Sequence, residues 1–169
     1  MAEPILDVGI DLGTTNCAIS YCKKVERNSP DAAEEVHTLS IPQVTHQGVV
    51  EARRLLPSFM YLPGPGEAPP GSLDLPWAPG RDFSVGEFAR RQGALVPLRV
   101  VNSAKSWLCH GAVDRRQPCL PWRSSAEDRR VSPVEASTAY LRHLVDAWNR
   151  QMAAENPQMR LENQAVVLT

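Results

Sequence analysis

The stretch Asp11-Leu12-Gly13-Thr14-Thr15-Asn16 brings together residue types that handle phosphate. The apolar run Ile5 to Leu12 reads as a strand, so a carboxylate is delivered at its end, just before a glycine turn. Backbone N–H groups exposed in such a turn form an anion-binding concavity, and the hydroxyls of Thr14 and Thr15 add donors. Asp11 is placed to hold a hydrated Mg²⁺ that bridges phosphate oxygens. The spacing is not that of a P-loop, which needs a glycine pair around four residues and then a lysine. The same residues also suit a plain hairpin, with Gly13 supplying the turn and the threonines bonding locally.

The elements that must position this turn can be read on both sides of it. Asn16 to Cys22 is a second strand, Lys23 to Glu35 a charged connection, and Val36 to Val44 a third strand with Pro42 marking an edge or bulge. Leu55 to Leu62 is another extended run. Pro63 to Gly80, rich in Pro and Gly, reads as a long mobile loop without a core of its own. Ser84 and Glu87 have capping-box spacing ahead of a helix that turns Val85, Phe88, Ala89 and Gln92 to one face. Ser132-Pro133-Val134-Glu135 opens a second helix more strongly, combining a capping box with proline at the first position. Its apolar stripe is expected at Val134, Thr138, Leu141, Val145, Trp148 and Met152, with Glu135, Arg142, Asp146 and Arg150 facing away. Asn156-Pro157 stops it. Gln164 to Thr169 reads as a buried strand, and its abrupt stop makes the chain an expected fragment of a longer domain.

Composition narrows the function classes. With 169 residues and 43% hydrophobic content the chain can bury a core, and a formal net charge of −1 gives no basic field for nucleic acid or a membrane surface. No apolar run approaches the roughly 20 residues that span a bilayer, and Met1 to Pro4 lack a secretory pattern, so the cytoplasm is the expected compartment. Cys17, Cys22, Cys109 and Cys119 share no zinc or redox spacing and are expected to be buried or incidental thiols. His37, His46, His110 and His143 share no ligand spacing either, and His143 falls on the expected polar side of its helix. Trp107, Trp122 and Trp148 lack basic interleaving and suit a core or an interface better than a platform for bases.

Several stretches, in order, resemble the ATP-binding domain of DnaK-type heat-shock chaperones. The DLGTT turn is similar to the first phosphate loop of the actin, sugar-kinase and DnaK-type ATPase superfamily. Leu56-Pro57-Ser58-Phe59-Met60 resembles the chaperones' T-P-S-hydrophobic segment. Val85-Gly86-Glu87-Phe88-Ala89 with Gln92, then Pro97 to Val101, is similar to their I-G-x-x-A…Q…P…V stretch. Asn102-Ser103-Ala104-Lys105 with Trp107-Leu108 resembles the A-K-R-L element, Val131 to Glu135 the S-P-E-E helix start, and Ala165 to Thr169 the strand before V-P-A-x-F. Each piece is short, and the order and spacing cover nearly the whole chain.

The resemblance implies an α/β fold of the ribonuclease-H-like, actin-like ATPase class. A first subdomain would comprise residues 1–54 and 131–169, with a smaller lobe, residues 55–130, inserted between them. It implies that Gly13, Thr14, Thr15 and Asn16 bind phosphate of ATP or ADP and that Asp11 attends Mg²⁺ through water. Lys105 would be catalytic, reaching the γ-phosphate and helping to place the attacking water; an ammonium there offsets charge developing on the phosphoryl group. An exposed lysine at a helix start is the plainer reading of the same residue. The implied activity is ATP hydrolysis that switches affinity for unfolded polypeptide, with co-chaperones as partners of the full-length protein. Half the cleft would lie beyond Thr169, so the fragment alone is expected to be a poor binder. Departures are Ser106 and Trp107 within the lysine element, the long Pro63–Gly80 loop, and Asn16 after the two threonines. Two other readings stay open: a sugar-kinase-like phosphotransferase sharing the DLGTT loop, and a non-hydrolysing nucleotide-sensing interaction module.

Overall fold

A computed structural model describes residues 3–24, 35–125 and 128–169. Most of the charged connection expected at Lys23–Glu35 lies outside the described residues. In chain order the strands are β1 (Leu6–Leu12), β2 (Asn16–Lys23), β3 (His37–Thr38), β4 (Ile41–His46), β5 (Val49–Arg53), β6 (Leu56–Pro57), β7 (Phe59–Tyr61), β8 (Ser84–Val85), β9 (Val100–Asn102) and β10 (Ala165–Leu168). The helices are α1 (Glu87–Leu95), α2 (Ala104–Leu108) and α3 (Pro133–Met152). The protein is thus mixed α/β with several sheets. Among the described residues no helix is long and apolar enough to cross a membrane.

The principal sheet is built on β1. Alternation puts Leu6, Val8, Ile10 and Leu12 on one face, buried, and leaves Asp7, Gly9 and Asp11 exposed on the other. β2 returns antiparallel, from Leu12 opposite Cys17 to Leu6 opposite Lys23, while β10 lies parallel on the far side of β1. β3 and β6 each pair antiparallel with β2. A second sheet is the β4–β5 hairpin, and the third has the order β8-β7-β9, all antiparallel.

α3 covers the buried face of the principal sheet. Its start is as expected: the Ser132 side chain accepts from the Glu135 N–H at 3.1 Å, and the Glu135 carboxylate accepts from the Ser132 N–H. Its buried face is not the expected stripe. Ala136, Tyr140, His143, Leu144, Ala147 and Trp148 are buried, whereas Leu141 and Val145 are half-buried and Thr138 is exposed. The buried face is offset from the expected stripe, and small Ala136 and Ala147 share it with bulky Tyr140, Leu144 and Trp148. His143 accordingly lies inside and not on the polar side; its Nε2–H donates to the Pro42 carbonyl at 2.8 Å. Trp148 sits in the core, edge-on to Tyr21, with its indole N–H on the Met159 carbonyl at 2.7 Å.

Other expectations are corrected by tertiary pairing. Val36–Val44 is not one strand; it breaks between β3 and β4, which join different sheets. β5, unread in the sequence, completes the hairpin with β4. The Ser84–Glu87 capping box does not form: Ser84 is in β8, and α1 begins after Gly86, whose φ is 97°. The Glu87 N–H is instead taken by the buried Gln43 side chain at 2.8 Å. The Pro63–Gly80 loop does bury a core, since Leu73 and Leu75 pack with Val44, Tyr61, Phe88 and Val100 in a second cluster. β10 is an exposed edge strand rather than a buried one, with Val167 64% exposed.

Candidate functional site

The loop between β1 and β2 is held in one shape by its own glycine. A β-carbon on Gly13 would sit 2.2 Å from the Asn16 carbonyl oxygen, so only glycine lets this turn close. Thr14 and Thr15 are exposed at its tip, Asn16 is half-buried, and the carboxylate-bearing Asp11 is exposed on the open face of the sheet. The end of β1 is tied down on the other side, where the Leu12 N–H donates to the Thr169 carbonyl and the Thr169 N–H donates to that of Ile10.

A second segment grips the turn from behind. The Ser58 hydroxyl donates to the Gly13 carbonyl at 2.7 Å, and the Ser58 N–H donates to the Thr15 carbonyl at 2.9 Å. Ser58 stands between β6, paired with the start of β2, and β7. The next residue, Phe59, pairs with Asn102 of β9. Three residues beyond Asn102 comes Lys105, on the short α2. Backbone pairing therefore runs from the turn through Ser58 and Phe59 to Asn102 and the lysine. Ser103, at the head of α2, adopts a left-handed φ of 52°, and buried Ala104 anchors the helix in the same core as Leu12 and Cys17.

Cys17 reports the electrostatics of this neighbourhood. Burial, the largest cause, pushes its thiol up; the nearby Asp11 charge adds to this, while the Gly13 backbone and the Lys105 charge oppose it. Asp11 and Lys105, 94 positions apart in the sequence, thus both act on one buried sulfur. Among the described residues neither takes part in an ion pair.

Asp11, Gly13, Thr14, Thr15 and Asn16 lie together at the β1–β2 turn, and Lys105 is tied to it through Asn102, Phe59 and Ser58 and bears on the Cys17 thiol. Ser58 and Cys17 are additions: nothing local marks Ser58, whose partners lie 45 and 43 positions away. Among the described residues no group of three or more His, Cys, Asp or Glu could hold a metal ion by itself. Asp11 offers one carboxylate, which suits Mg²⁺, an ion commonly held by one or two carboxylates together with substrate phosphates. Beside Lys105, Trp107 stacks on Trp122 at 4.9 Å and on His110 at 5.0 Å. With Pro97, Leu98 and Pro121, the two tryptophans line a largely apolar cavity of about 460 Å³. No family model matches the sequence, and no curated protein matches it.

Proposed function

We propose that this chain binds the phosphates of ATP at the Gly13–Asn16 turn, as part of an actin-like, ribonuclease-H-like ATPase domain of the DnaK type. One observation carries the reading: a glycine-dependent turn, an exposed carboxylate and a lysine remote in sequence are joined through Ser58, Phe59 and Asn102. Thr14 and Thr15 supply hydroxyls at the tip, and Asp11 would hold the water shell of a Mg²⁺ ion, which neutralises phosphate charge when bound. Lys105 would supply a compact positive charge opposite the transferring group. Within a chaperone, turnover would switch affinity for unfolded polypeptide, with co-chaperones setting its rate and the cytoplasm as its compartment.

The stacked Trp107 and Trp122, the latter 57% exposed, favour a second reading, a nucleotide-sensing module that contacts a partner without hydrolysis. Single-turnover hydrolysis separates the two. The protein carrying this chain is mixed with Mg-ATP in the absence of any sugar acceptor, wild type beside Lys105→Ala. Slow phosphate release by the wild type, lost in a variant that still binds ATP, is expected. Binding by both without release supports the sensing module, and no binding by the wild type rejects the phosphate turn.

A further inference from the structure

We infer that Ser58 is a positioning residue for the phosphate turn, setting its shape through a hydrogen-bond chain that runs from Cys17 through Ser58 to Gly13. The inference rests on the phosphate-binding reading for its functional consequence, while its structural part stands on geometry alone. Ser58 is 1% exposed, and its hydroxyl is within 2.7 Å of the Gly13 carbonyl and 3.2 Å of the Cys17 sulfur. A serine has one hydroxyl proton, and a carbonyl oxygen can only accept. The proton therefore points at Gly13, and the Cys17 contact must run the other way, with the thiol S–H donating to the Ser58 oxygen. Burial favours the protonated thiol, which keeps this donor in place.

The chain fixes the turn at two carbonyls. The hydroxyl holds Gly13, and the Ser58 N–H holds Thr15. These two carbonyls belong to the Gly13–Thr14 and Thr15–Asn16 peptides, so the planes that carry the Thr14 and Asn16 N–H groups have their orientation set from behind. An anion site made of backbone N–H groups depends on those planes, because turning a peptide plane swings its N–H away from the anion. Ser58 also sits one residue before the Phe59–Asn102 pair, so the turn and the Lys105 helix share a reference point. Loss of the hydroxyl would leave the fold intact while loosening the turn relative to the lysine.

The test uses the full protein as wild type, Ser58→Ala and Ser58→Thr, with Cys17→Ala as a second probe of the chain. Amide hydrogen exchange is followed without nucleotide, and Mg-ATP affinity is measured by calorimetry. In Ser58→Ala, exchange at the amide of position 58, whose N–H holds the Thr15 carbonyl of the turn, should accelerate about tenfold, as for one lost hydrogen bond, with α3 amides unchanged. Mg-ATP binding should weaken by a comparable factor. Ser58→Thr, which keeps the hydroxyl, should restore both, and Cys17→Ala should give a smaller change of the same kind. Unchanged exchange at that amide in Ser58→Ala overturns the inference, as does acceleration spread equally over α3. A folded Ser58→Thr that behaves like the alanine variant overturns the role of the hydroxyl; if Ser58→Thr does not fold, the absence of any turn effect in Cys17→Ala overturns the chain. A loosened turn with unaltered Mg-ATP affinity overturns the functional consequence. Failure of the wild type to bind Mg-ATP sinks the phosphate reading instead, and the exchange data still decide the structural part.

Discussion

His143 turns acid into a measurable loss of stability. It stands in the middle of α3, 3% exposed, with its Nε2–H on the Pro42 carbonyl and its Nδ1 buried without a hydrogen-bond partner among the described residues. The Trp77 ring meets it edge-on at 5.6 Å. Burial pushes its pKa from 6.5 down to about 4; the bond to Pro42 opposes the shift, and the Arg81 charge adds to it. The imidazole is thus neutral when folded and takes a proton more readily when unfolded. Its contribution is fully present above the unfolded pKa and is lost as pH falls toward the folded one. Linking the two values, stability at about pH 5 is about 2 kcal/mol below that at about pH 7.5, and the loss nears about 3 kcal/mol at about pH 4.

Urea denaturation at those first two pH values, on wild type and His143→Gln, isolates this contribution. Glutamine does not titrate, so carboxylates act on both proteins and cancel in the comparison. The variant should be less stable at neutral pH, since its amide fits the site less well. Its further loss on acidification should be smaller than that of the wild type by about 2 kcal/mol, roughly a 1 M difference in midpoint shift. Equal acid sensitivity in the two proteins would refute the reasoning, and would mean that His143 is accessible to protons in the folded state.

Four other outcomes follow from particular contacts. Gly13→Ala forces a carbon toward the Asn16 carbonyl and should cost about 1–3 kcal/mol in melting experiments, with Mg-ATP affinity falling with it. Tyr140→Phe removes a buried hydroxyl that has no hydrogen-bond partner among the described residues, so urea titration should show unchanged stability or a gain of up to about 1 kcal/mol. Ser132→Ala breaks the capping box at the head of α3 and should lower stability by about 1 kcal/mol in the same assay. Gln43→Leu leaves the Glu87 N–H and the Leu55 carbonyl without their side-chain partner and should destabilise by about 2–4 kcal/mol, with hydrogen exchange rising first in α1.

What could be read from the sequence was what neighbouring residues decide. β1 and β2 follow from alternation around a glycine turn, and the Ser132 cap follows from four adjacent residues. The Ser84–Glu87 pair carried the same cap signature and misled, because Ser84 was recruited to pair with Tyr61 in the β-sheet. That left the helix start to Gln43, 44 positions away. The face of α3 was misjudged for a related reason. Periodicity weights bulky residues, whereas the buried face includes the small Ala136 and Ala147 beside Tyr140 and Leu144, and His143 lies on it with them. The Pro63–Gly80 loop looked coreless since Leu73 and Leu75 form no period of their own; they are buried by residues from β4, β7, α1 and β9.

The candidate site shows the same division. The turn residues were readable, since Asp11, Gly13, Thr14 and Thr15 lie together and their chemistry is local. Lys105 has no local signal, and entered only through a resemblance. Its relation to the turn is made by pairings that bridge 45 positions at Ser58–Gly13 and 43 at Phe59–Asn102. Neither contact involves a distinctive residue pattern, since one is a serine hydroxyl on a carbonyl and the other is backbone. A site of this kind holds its geometry through the scaffold rather than through side chains that touch each other. It follows that mutations at Ser58 or Gly13 should disturb its geometry more than changes to the exposed side chains of Thr14 and Thr15.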